Sequence, residues 1–124
     1  MNTEKTIATP VLNEGEIYAG AIIKPDGTGH HAILLPGDND DASWDKQMEW
    51  SASIGGDLPD RVEQALMYKN LPDQFKKEWY WSNTQHASDS DYAWCQYFFY
   101  GGQHDSFKAS ELRARAVRRS SVIQ

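Results

Sequence analysis

The segment Tyr92–Tyr100, YAWCQYFFY, limits what this chain can fold into more than any other stretch. In an extended backbone, alternate side chains share a face. Tyr92, Trp94, Gln96, Phe98 and Tyr100 then lie on one side, and Ala93, Cys95, Tyr97 and Phe99 on the other. Both sets are largely apolar, so the segment reads as a central strand with a layer packed on each face. The wider stretch Glu78–Lys108 holds three of the five tryptophans, four of the six tyrosines and the only cysteine. Most of these rings, Trp81, Trp94 and Phe98 among them, are expected in the core, with Tyr97 and Tyr100 near the hairpin end as platform residues. Cys95, between aromatics, reads as a small buried hydrophobe rather than a nucleophile.

The rest of the chain supplies strands and two helices. Glu16–Lys24 and HHAILLP read as strands joined by the turn PDGTG. In GDNDDASWDKQMEWSASIGG, Trp44, Met48 and Ala52 fall on one helical face, with Asp41 or Ser43 to cap the start and Gly55-Gly56 to end it. The acids of this run suit a helix N-terminus and lack the spacing of a calcium loop. A second helix opens on Asp60 with Glu63 three residues on, a capping-box pattern. Its buried stripe is expected to be Val62, Ala65, Leu66 and the stem of Lys69, and Pro72 stops it. EWYWS, YAWCQYFFY, QHDSFKA and RARAVRR read as four further strands, the last with Ala114 and Ala116 on one face and Arg113 and Arg115 on the other. The order β-β-α-α-β-β-β-β gives an α+β domain over residues 16–120, with two helices packed on a twisted antiparallel sheet and residues 1–15 as a flexible lead-in.

At 124 residues the chain is expected to form one domain. Its net charge of −6 argues against a nucleic-acid partner, which would call for a basic surface. The longest apolar runs are far shorter than a membrane span. No secretory signal is visible and one cysteine makes no internal disulfide, so the expected compartment is the cytoplasm, or a virion made in it. His30 and His31 point to opposite faces of a strand and cannot share a metal. His86 and His104, with Asp89, Asp91 and Asp105, could approach one, but solvated loop polars are the better reading. No metal and no cofactor is expected. The arginines of RARAVRR are expected to pair with the surplus carboxylates.

Four motifs then stand in order: Leu58-Pro59-Asp60-Arg61-Val62-Glu63, Tyr80-Trp81-Ser82-Asn83, Ala93-Trp94 through Phe98 to Gly101, and Arg115-Ala116-Val117-Arg118. Together they resemble the DUF1566 family, also called the Lcl C-terminal domain family, over about Gly15 to Arg119. Asp60 replaces that family's usual Thr, and Asn83 the second Ser of its YWSS strand. The resemblance implies a C-type lectin-like fold whose loops display a binding face. It also implies adhesion or glycan binding as the best-described role, and for short members with a QHASDSDYAW-type loop an origin in phages or prophages. The calcium-and-sugar tripeptides of C-type lectins are missing.

The resulting expectation is a non-catalytic module that recognises a host or phage protein, or a glycan, through loops 83–91 and 101–107. Gln85, His86, Asp89, Tyr92, Tyr100, Gln103, His104 and Asp105 are its candidate contact residues. One alternative is a phage accessory protein that binds and inhibits a host cytoplasmic protein. Another is an enzyme like the formylglycine-generating group, which the lone mid-strand thiol disfavours.

Overall fold

A computed structural model of the chain describes residues 8–123. The domain is α+β, with eight strands and two α-helices among the described residues. β1 (Ile17–Ile23) and β2 (Gly29–Leu34) form the expected hairpin, and β8 (Val117–Ser121) pairs with β2 to complete an antiparallel three-stranded sheet. A second sheet runs β3-β7-β4-β5-β6, with β3 at Asn39–Ala42, β4 at Trp79–Gln85, β5 at Tyr92–Tyr97, β6 at Gln103–Phe107 and β7 at Leu112–Ala114. Its pairings are antiparallel except β4 with β7, which meet in parallel at Tyr80 and Arg113. The strands therefore divide between two sheets. No helix among the described residues is long and apolar enough to cross a membrane.

The five-stranded sheet is covered on both faces, as the two-sided apolar pattern of its strands requires. On one face, Tyr80 and Phe98 join Ala19, Ala32, Leu34, Met67, Phe75 and Val117 in a core shared with the three-stranded sheet and α2 (Arg61–Asn70). Phe75 stacks on Phe98 with centroids 3.9 Å apart, and Tyr80 meets both rings edge-on. On the other face, Trp81, Ala93, Cys95, Ala114 and Leu58 pack with Trp44 and Met48 from α1 (Trp44–Ser53).

The start of α2 and the end of α1 form as their sequences indicate. Asp60 and Glu63 form the full capping box of α2, Glu63 N–H donating to Asp60 Oδ1 at 2.7 Å and Asp60 N–H to Glu63 Oε1 at 2.8 Å. At the end of α1, Gly55 takes φ 83°, and the N–H groups of Gly55 and Gly56 reach Ala52 and Ser51 carbonyls in a Schellman arrangement. Ser43 sits at the N-cap of α1 without capping through its side chain, and Asp41 takes no part.

The buried helix faces differ from the expected stripes. In α2 the buried residues are Glu63, Gln64 and Met67, whereas Val62 is 58% exposed, Ala65 and Lys69 are exposed, and Leu66 is half-buried. In α1 they are Gln47 and Ser51, flanked by half-buried Trp44 and Met48, and Ala52 is exposed. These polar side chains are tolerated because they are hydrogen-bonded, Gln64 through its amide N–H alone, with Oε1 unpartnered among the described residues. The Gln47 amide donates to the carbonyls of Asp40 and Leu112, and Gln64 to that of Tyr80.

RARAVRR is not one strand. Its chain leaves the five-stranded sheet after Ala114 and enters the three-stranded one at Val117. All of Arg113–Val117 is buried, so the arginines line an interior rather than an outer face. Arg113 reaches Asp38 at 2.8 Å and Asp40 at 3.2 Å, which places these two acids on an arginine rather than at a helix terminus. Asp38 also accepts the Tyr80 hydroxyl at 2.5 Å. Burial and then that carboxylate push the phenol up to about 12. Arg115 meets no carboxylate among the described residues and donates to the carbonyls of Gln74 and Leu35. Arg118 grips Glu16, with Nη2 2.8 Å from Oε1, and the carbonyl of Val11. That contact ties down the later part of the expected lead-in; residues 8–16 form no strand or helix, and residues 1–7 lie outside the described residues.

The strand at YAWCQYFFY stops at Tyr97. Phe98–Tyr100 turn the chain, closed by Gly101 N–H on the Tyr97 carbonyl at 2.6 Å. Gly101 has φ 84°, and a Cβ there would sit 2.6 Å from the Tyr68 ring. Gly101→Ala is expected to lower stability by about 1–3 kcal/mol through left-handed strain and that contact together. Gly27→Ala, at φ 87° with nothing within 4 Å, carries the strain alone and should cost less. Urea denaturation of both variants checks the order.

Candidate functional site

The β5–β6 hairpin lies at one edge of the five-stranded sheet, with β6 outermost. Register places Tyr92 opposite Phe107, Trp94 opposite Asp105 and Gln96 opposite Gln103, all on the α2 face. α2 covers the Gln96 end of this face. The Tyr92 end is left open, and the loop between β4 and β5 folds beside it.

His86 organises that loop. Its Nδ1 accepts the N–H groups of Ser88 and Asp89, each at 3.2 Å. A nitrogen that accepts carries no proton, so the proton sits on Nε2, which lies 3.6 Å from Asp105 Oδ2. The Asp89 carboxylate accepts the Asp91 N–H, and the Asp89 carbonyl accepts the Tyr92 N–H. The imidazole stacks on Trp94, with centroids 5.7 Å apart and planes 15° from parallel. The Arg61 guanidinium, at the start of α2, stands 3.6 Å over the same indole. Beyond Trp94, Tyr92 and Phe107 stack at 4.4 Å, and Phe107 is 56% exposed. The result is a continuous surface of Arg61, Trp94, His86, Asp105, Tyr92 and Phe107. α2, the β4–β5 loop, β5 and β6 hold it.

The eight candidate contact residues do not form one site. His86, Asp89, Tyr92 and Asp105 gather at the open end of the α2 face. Gln85 adjoins them, and its Oε1 accepts Lys108 Nζ at 2.6 Å. Gln103 lies under α2 with its amide committed: Nε2 donates to the Arg61 carbonyl and to Gln96, and Oε1 accepts Arg61 Nε. His104 points to the opposite face, edge-on to Trp79 at 5.5 Å. Tyr100, 76% exposed, stands on the turn at the far end of the hairpin against Phe99 and Tyr97. Period-two alternation separates His104 from Gln103 and Asp105, a division that a grouping by loop position overlooks. The same alternation would have paired Phe107 with Tyr92. Arg61 had no signal beyond its place after a helix cap, and Trp94, expected in the core, is half-buried beneath Arg61 and His86.

The chemistry of the remaining groups is passive. Cys95 is 2% exposed and its thiol donates to the His104 carbonyl at 3.2 Å. Burial, reinforced by Asp105, pushes the thiol up to about 12, so almost no thiolate forms at neutral pH. Native protein treated with iodoacetamide at pH 8 should stay unmodified by mass spectrometry and react once unfolded in urea. His30 and His31 face apart as expected, His30 to Glu63 at 2.8 Å and His31 to the Tyr18 hydroxyl at 2.6 Å. No group of three or more His, Cys, Asp or Glu side chains is placed to hold a metal ion among the described residues. No protein-family model and no curated protein matches the chain.

Proposed function

We propose that this chain is a non-catalytic binding module whose ligand seats on the open end of the α2 face, over His86, Trp94, Asp105, Tyr92 and Phe107. The observation that carries the reading is the solvent-facing Tyr92–Phe107 stack, set beside an arginine on an indole and a histidine held by its own loop. Rings and guanidinium are held in place before any ligand arrives, which lowers the entropic cost of binding. Tyrosine, tryptophan and arginine are also the residue types that dominate binding energy at protein interfaces. A host or phage protein is therefore the favoured ligand, and a glycan stacking on Phe107 is the second reading. The likeness of the four motifs to the DUF1566 family agrees with a display role on a C-type lectin-like domain. An inhibitor of a host cytoplasmic protein is one form such a module could take.

The test is a glycan array run beside affinity purification from bacterial lysate, each with wild type and with a Tyr92→Ala/Phe107→Ala double variant. A stoichiometric protein partner recovered by wild type and lost by the variant supports the protein reading. Saturable array binding lost by the same variant transfers the surface to a glycan. Binding of either kind that survives the variant rejects this surface.

A further inference from the structure

We propose that the opposite, α1 face of the five-stranded sheet carries a separate cleft that accepts a lysine or arginine side chain from a basic segment of a protein partner. α1 covers this face over β3, β7 and β4 but leaves the β5–β6 edge bare. Two adjoining hollows share Trp79 and Leu112 as their dividing wall: one of about 250 Å³ opens over β5 and β6, and one of about 380 Å³ opens beside it, where β3 and the turns before β4 and β7 converge. Cys95, His104 and Ser106 line the smaller hollow. Tyr97 closes one side of the larger. Trp79 and Tyr97 are stacked at 4.9 Å and 17°, and His104 braces Trp79 edge-on, so the aromatic wall is fixed in place. The indole N–H of Trp79 has no acceptor among the described residues, whereas those of Trp44 and Trp81 donate to backbone carbonyls.

Charge selects the occupant. Asp41, Glu78 and Glu111 rim the larger hollow. None of the three has an ion pair or a side-chain hydrogen bond among the described residues. Glu16, Asp38, Asp57 and Glu63, by contrast, each hold an arginine. The one cation of the rim, Lys77, is turned over the Phe99 ring, 5.0 Å from its centroid. An anionic ligand would meet three carboxylates, whereas a cation would gain them beside the aromatic wall of Trp79 and Tyr97. Each hollow lies near or below the low end of the roughly 300–1,000 Å³ typical of small-molecule pockets, so the cleft suits one long side chain rather than a cofactor. The net charge of −6 draws a basic segment toward the protein from a distance. The inference does not rest on the reading of the α2 face, which lies on the other side of the sheet.

The test is titration of ¹⁵N-labelled protein with a capped (Arg-Gly)₃ hexapeptide, with capped (Gln-Gly)₃ as the neutral probe. The Trp79 indole signal and the amides of Tyr97 and His104 should move saturably with the arginine peptide and stay still with the glutamine one. Trp79→Leu should weaken binding about tenfold, the scale of a partly desolvated cation–π contact. Should Trp79→Leu not fold, the exposed pair Glu78→Gln/Glu111→Gln decides, and it too should weaken binding about tenfold. Shifts spread over the acidic surface with the Trp79 indole unmoved overturn the proposal. So does a Trp79 signal that moves on self-association without peptide, which would make a second copy the occupant.

Discussion

Glu63→Ala should destabilise the fold by about 3–5 kcal/mol, the cost of stripping one partner from a buried ion cluster. Glu63 is 0% exposed and accepts from four donors. Arg119 Nε and Nη2 each approach at 2.7 Å, His30 Nε2 at 2.8 Å and Asp60 N–H at 2.8 Å. Its removal leaves Arg119 with Asp57 and the Leu58 carbonyl and opens the capping box of α2. Burial by itself would raise the Glu63 pKa, but the Arg119 and Asp60 hydrogen bonds outweigh it and hold the carboxyl below its ordinary value. The sign follows: a carboxyl depressed in the folded state contributes stability above its unfolded pKa and loses it as pH falls through the folded one. The wild-type advantage over the variant should thus be full at pH 7 and shrink on acidification. Urea denaturation at pH 7 and at pH 3 measures both; a loss under about 1 kcal/mol at pH 7 would remove Glu63 from this role.

Trp81→Ala carries the second large effect, again about 3–5 kcal/mol. The indole is 0% exposed at the centre of the α1-face core, and its N–H donates to the Ala42 carbonyl at 3.1 Å. Truncation opens a cavity and removes one tie to β3, whose only strand partner among the described residues is β7. Val62→Ala is the matched comparison. The apolar stripe of α2 puts Val62 in the core, yet it is 58% exposed, so its loss should change stability by no more than about 0.5 kcal/mol. Chemical denaturation of both proteins, with near-ultraviolet circular dichroism for Trp81→Ala, separates a core residue from one that only looks like one in sequence.

That contrast shows where the fold was legible. The β1–β2 hairpin, the capping box at Asp60, the glycine stop at Gly55 and the two-sided cover of β5 all follow from local signals that tertiary contacts reinforce. β3 did not: Asn39–Ala42, NDDA, has almost no strand propensity and is held by its pairing with β7 and by Arg113 on Asp38 and Asp40. RARAVRR alternates without interruption, so nothing local marks the change of sheet after Ala114. The buried helix faces were misread because they are polar. Gln47, Ser51, Glu63 and Gln64 are hidden among backbone carbonyls and cations that only the assembled fold brings to them.

The candidate site was legible in part. Residue types and the loop beside β5 singled out His86, Asp89, Tyr92 and Asp105, which the fold brings together at one end of the sheet. The faces were not resolved, so His104 and Gln103 were grouped with residues they do not accompany. The Trp79 cleft needs β3, the turn before β4 and the turn before β7 to converge. Asp41, Glu78 and Glu111 are far apart along the chain, and no spacing rule joins them.

The most direct measurement is hydrogen exchange by mass spectrometry on the tagged protein, free and loaded with the ligand it captures. Protection concentrated in residues 86–94 and 103–107, and abolished with binding in the Tyr92→Ala/Phe107→Ala protein, is the result expected of a module that binds on its α2 face. Protection confined to other elements, with capture unchanged in the double variant, would contradict it.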